Sequence, residues 1–297
     1  MTFRLPLGID HVHCYLLRGD GGWTIVDTGL GLPAIVEEWA AVVRQLDAPV
    51  ERIVVTHLHP DHVGAARDVA ELTGAPVSQG RIDHAQCMVV WGRDRPVARW
   101  ERHLREHGTP ESVVERITAE SASLLPLVHA VDHVEPLDDG DRLGAWHVLH
   151  LPGHADGHIA LWREDGVLIA GDAILGGITP TVGLWPDSRP DPLADFQESL
   201  RRLIALEPRL ALAGHEAAID DPVLRAHEIL AHHDERLERT VATLSGGSRT
   251  GWEVSLELFP DAPAGQRRFA LAEALSHLEH LVLAGALERV DGVYAAL

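Results

Sequence analysis

His57, His59, Asp61 and His62 stand within six positions, in the run Thr56-His57-Leu58-His59-Pro60-Asp61-His62. Three imidazoles and a carboxylate at that spacing offer borderline nitrogen and hard oxygen donors together, the mix that zinc and similar divalent cations take. In a chain of 297 residues with 20 histidines, one such cluster could arise by chance. Taken singly, a loop histidine is more often a surface group or a satisfied core group than a ligand. What recurs downstream makes the cluster persuasive.

The cluster follows Ile53-Val54-Val55, a β-branched run that reads as a buried strand. Trp146 to Leu151 reads as another strand, after which Pro152-Gly153 turns the chain and His154 appears. Val167 to Ala170 is followed by Gly171 and Asp172, and Leu210 to Ala213 by Gly214 and His215. Each candidate stands just past a strand end, beside a residue that permits a sharp turn. Strand ends of one sheet lie side by side, so four separate loops can converge on one point.

With these ordered motifs the chain resembles the metallo-β-lactamase superfamily of metal-dependent hydrolases over roughly residues 10–220. The matching residues are the H-x-H-x-D-H cluster, His154 within Pro-Gly-His-Ala-Asp-Gly-His, Asp172 within Ala-Gly-Asp-Ala and His215 within Ala-Gly-His-Glu. Asp27, in Val-Asp-Thr-Gly, matches an early aspartate that supports the site without normally being a ligand. Residues 221–297 resemble the small helical, winged-helix-like tail of one branch, on element order alone. The resemblance implies a four-layer αββα sandwich over residues 1–220, with a helical insert at about 80–130, followed by the tail as a second domain.

It also implies a ligand set. His57, His59 and His154 would hold one metal ion, Asp61, His62 and His215 a second, and Asp172 would bridge them. Asp27 and His158 would orient the ligands from behind. Zinc is the default for such donors, and iron or manganese also fits. Two ions about 3.5–4 Å apart hold a shared water as hydroxide and polarise the electrophile. Asp61 would be catalytic, orienting that hydroxide and taking a proton as the tetrahedral intermediate collapses. His13 stands where the family commonly has a small amide, so it either reaches the site or packs in its strand.

The rest of the chain supplies the frame. His11 to Arg18 and Trp23 to Asp27 read as a hairpin, and Ile35, Val36, Trp39, Val42, Val43 and Leu46 form one stripe of a helix over Pro33–Leu46. A helix is expected from an acidic cap at Asp61 to Thr73, stopping at Gly74. Strands and helices alternate, as in a layered α/β protein. Trp91 and Trp100 fall in the insert, where core packing and substrate contact are equally open. His232 and His233 lie in a long charged helix and read as a solvated face.

Composition points to a cytoplasmic enzyme. No apolar run approaches the roughly 18–20 residues of a membrane span, and the N-terminus lacks a signal-peptide pattern. Cys14 and Cys87 read as free buried thiols. The expected function is cleavage of a small-molecule ester, thioester or lactone, because Pro60 and the Pro-Gly-His-x-x-Gly-His run look like the thioesterase and lactonase side of the superfamily. The alternative is a single-strand-specific endoribonuclease using the same metals, with the tail gripping RNA. A net charge of −20 with 25 basic residues, all arginine, disfavours nucleic acid as a partner. The tail's apolar stripe (Phe269, Leu271, Leu275, Leu278, Leu281, Val282) serves either packing within the chain or a homodimer.

Overall fold

The computed structural model describes residues 1–92 and 97–297, so residues 93–96 of the expected insert lie outside the described residues. Strands β1 (Thr2–Arg4) and β2 (His11–His13) form an antiparallel pair. The expected first hairpin strand breaks at Cys14: only β3 (Tyr15–Arg18) pairs with β4 (Trp23–Val26). After β4 come α1 (Pro33–Val43), β5 (Val50–Val55), α2 (Pro60–Val63), α3 (Ala66–Thr73) and β6 (Val77–Gly80). The insert supplies α4 (Arg81–Trp91), α5 (Val97–Glu106) and α6 (Glu111–Ser123), and β7 (Glu135–Leu137) completes a five-stranded sheet ordered β3-β4-β5-β6-β7.

The second sheet is built from β8 (Arg142–Leu143), β9 (Trp146–His150), β10 (Ile159–Arg163), β11 (Val167–Gly171) and, after α7 (Pro192–Leu206), β12 (Leu210–Ala213), in the order β12-β11-β10-β9-β8. The period-2 alternation of strand side chains sorts the residues of each strand between two cores. Val26, Val54, Val148, Leu161 and Ile169 pack between the sheets. Their chain neighbours point the other way. Ile25, Ile53 and Val55 meet Trp39 and Val69 on one outer face, while Leu149, Ala160 and Leu168 meet Phe196, Leu200 and Leu203 on the other. Two hydrophobic faces per sheet require helices outside both, and the four-layer αββα arrangement follows.

The helix expected from Asp61 to Thr73 is two helices. A Cβ at Gly64 would lie 2.2 Å from Pro60 O and 2.7 Å from Gly29 O, so the chain bends where only glycine fits. Nor does Asp61 cap a helix; His59 occupies that position, and its side chain makes no capping bond. The stop at Gly74 holds, with φ at 72°.

The tail consists of α8 (Pro222–Thr243), β13 (Arg249–Thr250), α9 (Gly251–Leu258), α10 (Arg267–Leu283), β14 (Leu287–Val290) and β15 (Val293–Ala296), with its strands ordered β13-β15-β14. Its core is shared with the insert: Leu104, Val114 and Ile117 pack with Leu271, Leu275, Leu278 and Tyr294. Most of the α10 stripe is therefore satisfied within the chain, while Phe269 stays exposed. Trp100 joins the same core and packs beside Trp185. His233 does not face solvent as expected: it is fully buried, with its Nδ1 3.1 Å from His277 Nε2. No helix among the described residues is long and apolar enough to cross a membrane.

Candidate metal centre

Four loops leave the same end of the two sheets and bring seven donor side chains together. His57 to His62 follow β5, His154 follows β9, Asp172 follows β11 and His215 follows β12. Donor atoms of His57, His59 and His154 lie within 4.8 Å of one another, as do those of Asp61, His62 and His215, and those of His57, His62 and Asp172. Asp172 reaches toward both groups. Its Oδ2 is 3.2 Å from His215 Nε2 and 3.6 Å from His154 Nε2, and its Oδ1 is 3.5 Å from His62 Nε2. Asp61 Oδ2 is 3.3 Å from His215 Nε2.

Hydrogen bonds behind the rings fix which nitrogen faces inward. A carbonyl or carboxylate oxygen can only accept, so the ring nitrogen bonded to it carries the hydrogen. His62 Nδ1 donates to Asp27 Oδ2 at 2.8 Å, His154 Nδ1 to Thr181 O at 2.8 Å and His215 Nδ1 to His11 O at 2.6 Å. Thr56 Oγ1 donates to Asp27 Oδ2 and so accepts from His57 Nδ1 at 3.0 Å. Four imidazoles thereby turn Nε2 toward the centre. His57 Nε2 lies 2.9 Å from His59 Nδ1. His62 Nε2, His154 Nε2 and Asp172 Oδ1 are buried with no hydrogen-bond partner among the described residues. Buried polar atoms are rarely left unpaired, and three of them converging beside two carboxylates fit a cation.

The electrostatics agree. Burial pushes His57 and His154 below the ordinary histidine value and takes His59 down to about 3, keeping these rings in the neutral form that ligates. Burial also works against protonation of His62 and His215. Asp172, Asp27 and Asp61 overcome it at His62, and Asp172 with Asp61 lifts His215 to about 10. The carboxylates thus draw positive charge to one side of the centre.

Asp27 and His158 both stand behind the donors. Asp27, with φ at 60° at the end of β4, accepts the Thr56 N–H on Oδ1. His158 Nε2 accepts the Asp172 N–H at 3.1 Å, which occupies that nitrogen and sets the backbone of Asp172. His13 turns away: its Nε2 bonds Glu216 O and its Nδ1 bonds Thr2 Oγ1. Trp91 packs against the outer core and donates its indole N–H to Leu58 O at 2.8 Å. Sequence reasoning missed Thr56, Thr181 and His11. The last two act through backbone carbonyls, which leave no side-chain signature.

This fold and donor set define a class of metal-dependent hydrolases, and comparison with known proteins agrees. Residues 7–215 match the Metallo-beta-lactamase superfamily and residues 237–295 the Metallo-beta-lactamase-like, C-terminal domain. The chain is similar to a metallo-beta-lactamase family protein from Thermus thermophilus, with 39% identity and a TM-score of 0.88, covering 100% of this chain and 97% of that one. It is 28% identical to "Probable metallo-hydrolase YqjP" of Bacillus subtilis over 93% of this chain and 89% of the relative. A hydroxyacylglutathione hydrolase of Aeromonas hydrophila is 28% identical over 70% of this chain and 63% of its own length. The chain belongs to the metallo-β-lactamase superfamily and is a metallo-hydrolase of that group.

Proposed function

We propose that the protein is a dinuclear, zinc-preferring cytoplasmic hydrolase that cleaves a small-molecule carboxylic ester, thioester or lactone. The observation that carries this reading is the outward bonding of Nδ1 on His57, His62, His154 and His215, which aims four Nε2 atoms at one place beside Asp61 and Asp172. His57, His59 and His154 would hold one ion, Asp61, His62 and His215 the other, with Asp172 between. When bound, such a pair lowers the pKa of a water and polarises the electrophile. Asp61, on a helix start and 8% exposed, is the carboxylate placed to take the proton of the attacking water and return it to the leaving group. Asp27, Thr56, Thr181 and His11 hold the rings in register.

The ester or thioester direction rests on Pro60 before Asp61, on the Pro-Gly-His-Ala-Asp-Gly-His run and on the likeness to a hydroxyacylglutathione hydrolase. The helix, strand, helix, helix, hairpin order of the tail supports its reading as winged-helix-like. RNA binding is disfavoured because the tail's arginines are engaged internally. Arg249 pairs with Glu257, Arg289 with Glu279 and Arg236 with Glu273, while Arg267 donates to Phe259 O and Pro260 O. Phosphate binding needs free cations.

Metal analysis should find about two equivalents in the parent, falling sharply in His57→Ala and Asp172→Ala. A panel of thioesters, esters and lactones should be turned over by the parent alone. Nuclease activity on single-stranded RNA with none on the panel would overturn the substrate class.

A further inference from the structure

The two halves of the metal centre share one brace and differ in the others. Asp27 holds His62 directly and His57 through Thr56, and the backbone of β2 holds His215 through His11 O. The three-histidine group is braced by α4, the helix that opens the insert.

Between His57 and His59 there is one residue, and its carbonyl is pinned: Trp91 Nε1, at the last turn of α4, donates to Leu58 O at 2.8 Å. Earlier in the same helix, Gln86 Nε2 donates to Asp156 Oδ2 and, at 3.2 Å, to Asp187 O. Asp156 lies in the turn between His154 and His158, is 4% exposed, and also accepts the Arg189 N–H at 2.7 Å. At the start of α4, Gly157 of the same turn is packed so close that a Cβ there would fall 2.1 Å from Asp83 N. Asp83 is fully buried and accepts from Gln79. One helix therefore grips the loop of His57 and His59 at its far end, and the turn of His154 at its middle and its start.

We infer that α4 is the positioning element of the three-histidine half of the centre, with Trp91 and Gln86 as the residues that set His57, His59 and His154 relative to one another. This rests on the metal-centre reading given above. Side chains that brace ligands in this way commonly carry about 10–100-fold in metal affinity. Neither residue bonds to the side chains of Asp61, His62 or His215, so the loss should fall on one of two binding steps.

The test uses the full-length, metal-stripped protein titrated with cobalt(II), following the visible d–d absorption. The parent should bind in two steps. Trp91→Phe keeps an aromatic ring and drops the N–H; Gln86→Leu keeps much of the volume and drops the amide. Each should weaken one step by about 10–100-fold, change the spectrum of that step and leave the other in place. Weakening of both steps alike, or of neither, overturns the inference while leaving the metal centre standing. A parent that takes up no cobalt overturns the metal centre itself and the inference with it. If one variant fails to fold, the other carries the test.

Discussion

Asp27 Oδ2 sits 2.8 Å behind His62 Nδ1, and the same oxygen accepts the Thr56 hydroxyl that in turn receives His57 Nδ1–H. One buried carboxylate thus fixes the tautomer of an imidazole in each half of the centre. Asp27→Asn keeps an oxygen for the Thr56 N–H but sets an amide N–H₂ against His62 and Thr56. His62 must then protonate Nε2 instead, turning a donor pair into an N–H. Metal affinity should fall by roughly 10–100-fold, read by cobalt titration, with far-UV circular dichroism unchanged. Affinity equal to the parent's would refute this role.

Gly214 is the residue on which Asp172 and His62 close. A Cβ there would lie 2.3 Å from Asp172 Oδ1 and 2.6 Å from His62 Cε1. Gly214→Ala should lose bound metal even where the protein folds. Gly74→Ala provides the contrast, since φ is 72° and nothing lies within 4 Å of the added carbon. Its cost is backbone strain alone, about 1–2 kcal/mol, so the melting temperature should drop while metal content holds. Equal metal loss in both would remove the distinction.

The buried histidines of the tail set an acid limit. Burial takes His233 down to about 2 and His277 to about 4, while an unfolded histidine titrates near 6.5. Below that value the unfolded chain binds protons that the native one refuses, so stability is intact above pH ~6.5 and is lost as pH falls. Each histidine contributes about 1.4 kcal/mol of loss one unit below. Glu273 acts in the opposite sense. Burial, against the pull of Arg236, lifts it to about 7, so its contribution is present below the unfolded carboxylate value and declines toward pH 7. Urea melts from pH 7.5 to 5 should show a flatter acid limb for His233→Gln than for the parent. Parallel limbs would rule His233 out as the source.

Much of the candidate site was legible because its donor side chains announce themselves chemically. His57, His154, Asp172 and His215 each follow a hydrophobic run that reads as a strand, although those strands belong to two facing sheets, β5 to one and β9, β11 and β12 to the other, and not to one sheet as expected. The residues alone gave a layered α/β protein and the resemblance gave its four layers, while the structure adds the physical reason: neighbours in Ile53-Val54-Val55 and Ala160-Leu161 serve two cores at once. What escaped depends on groups every residue owns. His11 and Thr181 act through main-chain oxygens, and the split at Gly64 reflects how closely Pro60 and Gly29 approach it. His233 misled because its neighbours along the helix are charged, while the cover over it comes from His277, 44 residues later.

The core shared by the insert and the tail makes partners of segments far apart in sequence. Leu104, Val114 and Ile117 are roofed by Leu271, Leu275 and Tyr294, so neither segment owns an interior of its own. A chain stopped before Pro222 would bare the greasy sides of α5 and α6 to water, and should be recovered mainly as aggregate by light scattering. Grafting another relative's tail onto this body would need residues 97–123 to travel with it, because the two have been tailored as a single garment.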